Sequence, residues 1–465
     1  MNSTDALILA AGKGTRMHSV KPKVLHTLLG ETMLSLVSHA AASLPRIGAL
    51  HIVAGHQAEQ VFMEAGRLSA KLHHDVYQIL QKEQKGTGHA LMTAMPSLRD
   101  RCSSLLVLNG DAPLVTSEVL DNFMSRANGA DIAFLTLYLD DAASYGRVMR
   151  NGASVHAIVE AKDFDPDLYG PLKDAHEVNS GIYYFSLAAV EKLLPKLSCS
   201  PKSGEYYITD LIGLGVAAGM DVRGILVDDM DMDARSLLGV NTPAELAVAE
   251  SLLREQTVRR LLEAGVVIHS PESVCICPYA AISPGAEIFG PAEIYGDSSV
   301  GENSVIRSHC VMRNCIVHAG AEIREFTHME EAQILTGAIV GPFARLRSGS
   351  IIDENAHVGD FVELKKTHLG KRSKANHLAY LGDSEIGEDV NIGAGTITCN
   401  YDGRNKHQTF ISDGCFIGSN TSLVAPVMIG PGSLVGAGSV ITKNVPAGSL
   451  AIARKMQENL PRRKK

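Results

Sequence analysis

The segment Leu9-Ala10-Ala11-Gly12-Lys13-Gly14-Thr15-Arg16-Met17 sets two glycines and two cations directly after an apolar run. Glycines at the end of a strand let backbone N–H groups approach phosphate oxygens. Lys13 and Arg16 add donors that can follow charge developing on a phosphoryl oxygen. Lys23, in Lys21-Pro22-Lys23, weighs against an ordinary glycine turn. No Gly-Lys-Ser/Thr closes the run, so it is not a P-loop, and Met17 stands where a dinucleotide fingerprint needs its last glycine. A second segment runs from Gln81 through Gln84 and Gly86-Thr87-Gly88 to Ala90. Its paired amides suit a base edge, and its glycines allow another close backbone approach. A third, Asn109-Gly110-Asp111-Ala112-Pro113-Leu114, puts an acid at a strand end. Such an acid is either a turn residue or a holder of Mg²⁺ against phosphate oxygens.

A separate polar concentration lies far along the chain. It comprises Arg345-Leu346-Arg347, Lys365-Lys366 and the run from Lys374 to Asp383, which contains Asn376, His377 and Tyr380. Asn391 to Gly395 and Thr398 to Gly403 follow. An imidazole can take up a proton near neutral pH, which makes His377 a candidate general base beside anion-binding cations.

The elements that must position these groups fall into two kinds. Apolar runs at 6–11, 50–55 and 104–109 alternate with a helical pattern such as 32–44, which predicts an α/β unit with a mainly parallel sheet. Ligands in such sheets sit beyond the carboxyl ends of the strands, where the segments after Ala11 and Leu108 lie. Residues 243–265 predict one helix with Leu246, Ala249, Leu252, Leu253, Val258, Leu261 and Leu262 on one face. Beyond it aliphatic residues recur every six positions, at Ile282, Ile288, Ile294, Val300, Ile306 and Met312, and again at Ile417, Leu423, Ile429, Val435 and Ile441. A period of six fits neither a helix nor a free sheet; it is the hexapeptide pattern of a parallel β-helix. At about 18 residues per coil, 266–441 makes roughly ten coils. The register breaks at 324–334 and 399–412 predict loops that leave the coil.

Composition narrows the function classes. At 465 residues, roughly 150 per domain predicts two or three domains. A net charge of −8 argues against nucleic-acid binding. No run approaches the length of a membrane span, and the N-terminal apolar run lacks the basic flank of a signal peptide, so a cytoplasmic protein without membrane partners is expected. The eight cysteines form no C-x-x-C pair, which predicts free thiols and no structural zinc. The tail Arg462-Arg463-Lys464-Lys465 reads as a solvated end.

The motifs L-A-A-G-x-G-T-R-M, K-P-K, Q-x-x-Q-x-G-T-G-H-A, G-D-x-P-L and V-N-x-G-I-Y resemble those of sugar-nucleotide pyrophosphorylases. With the hexapeptide half, essentially the whole chain resembles the bacterial bifunctional UDP-N-acetylglucosamine pyrophosphorylase/glucosamine-1-phosphate N-acetyltransferases. The resemblance implies an α/β fold class: a Rossmann-like nucleotidyltransferase domain at 1–243, a linker helix at 244–265 and a left-handed parallel β-helix acetyltransferase domain at 266–465. It implies UTP and acetyl-CoA as donors, Mg²⁺, a homotrimer and a place in cell-wall precursor synthesis. Leu9, Ala10, Ala11, Gly12 and Lys23 would contact the nucleotide, with Arg16 and Lys23 catalytic. Gln81 would read uracil beside Gly86 and Thr87. Asn109, Gly110 and Asp111 would lie near sugar and metal, and Gly146, Glu160, Asn179 and Asn241 would line the sugar pocket. Asp111 and Asn241 would hold Mg²⁺. His377 would be the acetyl-transfer base. Arg347, Lys365, Tyr380 and Asn391 would bind glucosamine-1-phosphate, while Ala394, Asn400, Tyr401, Ser419, Ala437 and Arg454 would line the acetyl-CoA groove. Asn376, where glycine is common, and Ser348, where proline is common, depart from the family pattern. Two other readings compete: a pyrophosphorylase for another sugar with a structural or regulatory β-helix, and a non-catalytic interaction protein. His377 with Asn400-Tyr401 discriminates against the first; Arg16, Lys23 and Asp111 discriminate against the second.

Overall fold

The structure is a computed structural model that describes residues 3–140, 142, 145–164, 167, 176–230 and 234–459. The chain divides into two compact units, Met1–Leu252 and Leu253–Lys465.

In the first unit the strands of the main sheet are β1 (Thr4–Ala10), β2 (Ile47–Ala54), β3 (Val76–Leu80), β4 (Ser104–Asn109), β5 (Ile132–Tyr138), β6 (Arg147–Asn151), β7 (Ser154–Val159), β8 (Glu177–Ser186) and β9 (Val222–Leu226). The sheet order is β9-β5-β8-β4-β1-β2-β3, and β6 and β7 form an antiparallel hairpin off β8. Only β8 on that path runs antiparallel. The apolar runs are continuous because both faces are covered. Ala6, Ile8 and Ala10 join the core beneath helices Met33–Ala42, Ala58–Leu72 and Ser117–Ala127. Leu7 turns to the core beneath Thr87–Leu98, Leu187–Leu193 and Asp210–Ala217. Thr32 starts its helix by accepting the Ser35 N–H at 2.9 Å. The segments after β1 and β4 therefore leave the same edge of the sheet.

Helix Pro243–Glu263 spans the boundary between the units. Its Glu250 accepts the Leu29 N–H at 3.1 Å in the first unit, while Val258 and Leu261 belong to the second unit's core. Leu262, predicted on the apolar face, is instead exposed, because consecutive residues of the helix point about 100° apart and Leu261 takes the inner side.

The second unit is a parallel β-helix with three ladders. One ladder stacks Ile268, Ile288, Ile306, Ile323, Val340, Val358, Ala375, Ile392, Ile417 and Val435, all buried. The strands Glu363–Leu369 and Tyr380–Ile386 each turn a corner and pair on both other ladders. No loop leaves at 324–334, contrary to the sequence expectation. The coil simply drops one residue there: Ile288 pairs 18 residues ahead with Ile306, but Ile323 pairs 17 ahead with Val340, as Ile306 already does with Ile323. A 17-residue coil breaks a strict period of six without breaking the ladder. The second expected loop does leave. Between Cys399 and Thr409 the chain makes a small excursion closed by a Tyr401–Lys406 bridge, so Ile392 pairs with Ile417.

Close coil stacking explains the glycine content. A Cβ on Gly418 would lie 2.5 Å from the Ala437 backbone N. Gly418→Ala is expected to cost about 1–3 kcal/mol, the range for overpacking. A lowered urea midpoint for the second unit, followed by circular dichroism, would report it; an unchanged midpoint would mean the coils can separate freely.

All eight cysteines are free. Among the described residues no helix is long and apolar enough to cross a membrane.

Candidate functional site

The carboxyl edge of the sheet opens into a cavity of about 610 Å³. It is lined by the predicted residues Leu9, Ala10, Ala11, Gly12, Arg16, Lys23, Gln81, Gly86, Thr87, Asn109, Asp111, Glu160 and Asn241. Residues from five separated stretches of the chain are thus brought to one place. Gly110, Gly146 and Asn179 stand behind this lining. The Gly110 N–H donates to the Leu9 carbonyl at 2.9 Å, the Asn179 N–H donates to the Gly146 carbonyl at 2.9 Å, and the Asn179 amide donates to the Tyr183 hydroxyl at 2.6 Å.

The polar centre is Lys23. Its ammonium donates to Asp111 Oδ2 and, at 2.7 Å, to Asn241 Oδ1, which also accepts from Arg16 at 2.8 Å. The Lys23 side chain is only 12% exposed, so this contact is little screened. Asn241 is held by its own N–H, which donates to Glu245 at 2.6 Å. Two hard oxygens from distant segments therefore converge on one cation. A carboxylate and an amide carbonyl of this kind fit Mg²⁺, which takes few protein ligands and completes its shell with phosphate oxygens and water. No denser carboxylate, His or Cys cluster is placed for a metal among the described residues.

Gln81 is buried, and its Nε2 donates to the Gly86 carbonyl at 3.1 Å and meets His89 Nδ1 at 3.0 Å. Its amide oxygen remains for a ligand. Burial pushes the Glu160 carboxyl above its ordinary pKa; Asp210, Asp163 and Glu205 add to this, and the Thr209 hydroxyl at 2.8 Å opposes it. Glu205 and Tyr207 also line the cavity and were missed in the sequence. The run Gly204-Glu205-Tyr206-Tyr207, just ahead of a helix, was their only mark.

The second unit places the other candidates by coil register. His377 ends strand Lys374–His377, directly above Asp360 in the preceding coil. His377 Nδ1 lies 2.5 Å from Asp360 Oδ1. The same corner continues through Ala394, Ser419, Ala437 and Arg454. The Asn420 N–H donates to the Ala394 carbonyl at 2.7 Å, and the Gly438 N–H donates to the Ser419 carbonyl at 2.8 Å. The predicted base thus heads the column of residues predicted for acetyl-CoA. Asn391 pairs with Lys374 on this ladder.

On the adjoining ladder Arg347 pairs with Lys365, and Lys365 pairs with Gly382. The Tyr380 hydroxyl and the Asn400 amide converge over Gly382, at 2.6 and 2.7 Å from where a Cβ would lie. Asn400 donates to Asp383, and Tyr401, 60% exposed, stands on the excursion. Lys406, from the same excursion, crowds Lys365 and lowers its pKa; lost hydration and Arg347 act the same way, and Asp383 opposes them. Cations this close mark a place for an anion. Sequence reading missed Lys406 and Asp360, which reach the site only through the excursion and the 17-residue register. Asn376 Oδ1 is buried without a hydrogen-bond partner.

A cationic cavity on an α/β sheet and an imidazole with a cation cluster on a hexapeptide β-helix together have the make-up of a two-site transferase. Residues 6–142 match the MobA-like NTP transferase domain family, and residues 408–443 match the bacterial transferase hexapeptide family, which makes the coil the left-handed β-helix. Over the full length the chain is similar to the bifunctional protein GlmU of Nitratidesulfovibrio vulgaris strain DP4, at 54% identity covering 100% of this chain and 99% of that one. It is 50% identical to the bifunctional protein GlmU of Oleidesulfovibrio alaskensis, over 98% of this chain and 97% of that one. It is 41% identical to that of Pseudomonas putida strain F1, again over 98% and 97%. The chain belongs to the bifunctional GlmU family.

Proposed function

We propose that the protein makes UDP-N-acetylglucosamine in two steps on its two units. The second unit transfers acetyl from acetyl-CoA to the amine of glucosamine-1-phosphate. The first joins the resulting N-acetylglucosamine-1-phosphate to UTP and releases pyrophosphate. The observation that carries this reading is the presence of both sites in one chain: a cationic cavity at the sheet edge, and His377 at the head of a column beside Lys365 and Lys406. The intact His377 site favours two activities over a single pyrophosphorylase.

In the first unit a sugar-phosphate oxygen attacks the α-phosphorus of UTP, and pyrophosphate leaves in line. Arg16 and Lys23 meet the charge that develops, and the Gln81 amide oxygen accepts from the uracil edge. Gly146, Glu160, Asn179 and Asn241 shape the sugar pocket, with Asn109 and Gly110 beside it. Asp111 and Asn241 would hold Mg²⁺, which when bound neutralises charge on the triphosphate. In the second unit His377 takes the proton of the attacking amine. Arg347, Lys365 and Lys406 bind the sugar phosphate, Tyr380 and Asn391 orient the ring, and the column from Ala394 to Arg454 carries acetyl-CoA with Asn400 and Tyr401.

The test is the purified protein with glucosamine-1-phosphate, acetyl-CoA, UTP and Mg²⁺, followed for free thiol and for pyrophosphate. Release of both is expected; pyrophosphate alone would reduce the chain to one activity. The double variant Lys365→Met/Lys406→Met should raise the KM for glucosamine-1-phosphate about 10- to 100-fold, as two charge-assisted hydrogen bonds are lost. An unchanged KM would place the phosphate elsewhere.

Assembly follows from exposure. His377 is 62% exposed, which leaves a water-filled half-site on one chain. A homotrimer held by residues 266–465 would close it. A fragment of 266–465 should be trimeric by light scattering and retain acetyl transfer, while a fragment of 1–243 should be monomeric and retain uridylyl transfer. An active monomer of 266–465 would end the shared-site idea.

A further inference from the structure

The pairing of His377 with Asp360 assigns a role to a residue that the family resemblance did not point to. Asp360 closes strand His357–Asp360, one coil below His377. Two bonds tie the corners together. The Asp360 carboxylate meets His377 Nδ1 at 2.5 Å, and the Asp360 carbonyl accepts the Leu378 N–H at 3.0 Å. The histidine is thus held on both its side chain and its neighbouring backbone. Among the described residues no other side chain hydrogen-bonds the ring. An ionised carboxylate can only accept, so the ring hydrogen it receives lies on Nδ1. Nε2 then carries the lone pair. A mostly exposed imidazole without such a partner would rotate and divide its hydrogen between both nitrogens.

We infer that Asp360 is the positioning residue of the acetyl-transfer site: it fixes His377 as the Nδ1–H tautomer and turns Nε2 toward the amine. This rests on the reading of His377 as the base. The amine nitrogen attacks the thioester carbonyl, the new C–N bond forms, and the C–S bond breaks. The proton from nitrogen passes to Nε2 and then to the departing thiolate, so that free CoA thiol and neutral imidazole remain. While the ring is an imidazolium, the Asp360 carboxylate balances its charge.

The test uses the full chain with Asp360→Asn, which keeps size but offers no acceptor charge, and with Asp360→Ala. The kcat for acetyl transfer should fall about 10- to 1,000-fold, below the loss known for a buried serine-protease dyad because this one is partly exposed. The KM values for glucosamine-1-phosphate and acetyl-CoA should stay within about twofold, since Asp360 is not placed on either ligand. Solid-state ¹⁵N-histidine spectra, assigned by difference with His377→Ala, should show hydrogen on Nδ1 in the parent and a mixture in Asp360→Asn. Full kcat in both variants, beside a dead His377→Ala, overturns the inference and leaves the base reading standing. A fall accompanied by large KM increases overturns it as well, because the aspartate would then be shaping the site. Undiminished acetyl transfer in His377→Ala overturns the base reading, and this inference with it.

Discussion

Replacing His377 with alanine cuts acetyl transfer about 10²- to 10⁴-fold, the usual contribution of a general base. The amine of the acceptor must lose a proton as it attacks, and the described structure offers an imidazole for this at the head of the column proposed for acetyl-CoA. The side chain is largely exposed and packs into no core, so its removal leaves the coil intact. Pyrophosphate release from UTP with ready-made N-acetylglucosamine-1-phosphate should be unchanged. Acetyl transfer near the parental rate at pH 7 would place the base elsewhere and remove the assignment of the Asn376-His377 segment.

Asp111→Ala should give the reverse pattern. Asp111 receives the Lys23 ammonium, and its backbone carbonyl accepts the Val240 N–H at 2.8 Å, one residue from Asn241. Truncation removes one of the two oxygens proposed for Mg²⁺ and leaves Lys23 with Asn241 alone. Uridylyl transfer should fall at least about 10²- to 10³-fold, the loss seen when one preorganised charge-stabilising group is removed. Thiol release from acetyl-CoA should persist. Equal loss of both activities in a folded variant would show that the two sites are not independent.

The distribution of what could be read in advance has a physical cause. The hexapeptide period and the sheet-edge glycines are local patterns, and both led to the fold they specify. Ile282 to Met312 could be counted because the first coils keep 18 residues. Several middle coils, such as those from Ile306 to Ile323, Ile323 to Val340 and Val358 to Ala375, keep 17, which disturbs a period of six, and the stretch at 324–334 therefore reads as a loop. A further 17-residue coil hides Asp360, whose neighbour in space lies 17 residues onward. Asp111 and Lys23 are legible only as separate motifs and Asn241 only through the family resemblance; that the Lys23 ammonium joins the Asp111 and Asn241 oxygens is a matter of tertiary structure. Glu205 and Tyr207 carry no repeat and only a single preceding glycine as a mark, and Lys406 sits on an excursion outside the coil period.

Each coil of the β-helix hydrogen-bonds only to the coils before and after it, so the stack can open from an end while the remainder stays closed. The residues proposed for the sugar phosphate, from Arg347 to Tyr380, lie in the middle of the stack, whereas Ser419, Ala437 and Arg454 lie on its last coils. Fraying from the carboxyl end would therefore unravel the berth proposed for the thioester first and spare the imidazole–carboxylate pair. A partly melted molecule would go on gripping its sugar phosphate with nothing to hand it, so thermal damage yields idleness rather than wasteful hydrolysis of the acyl donor.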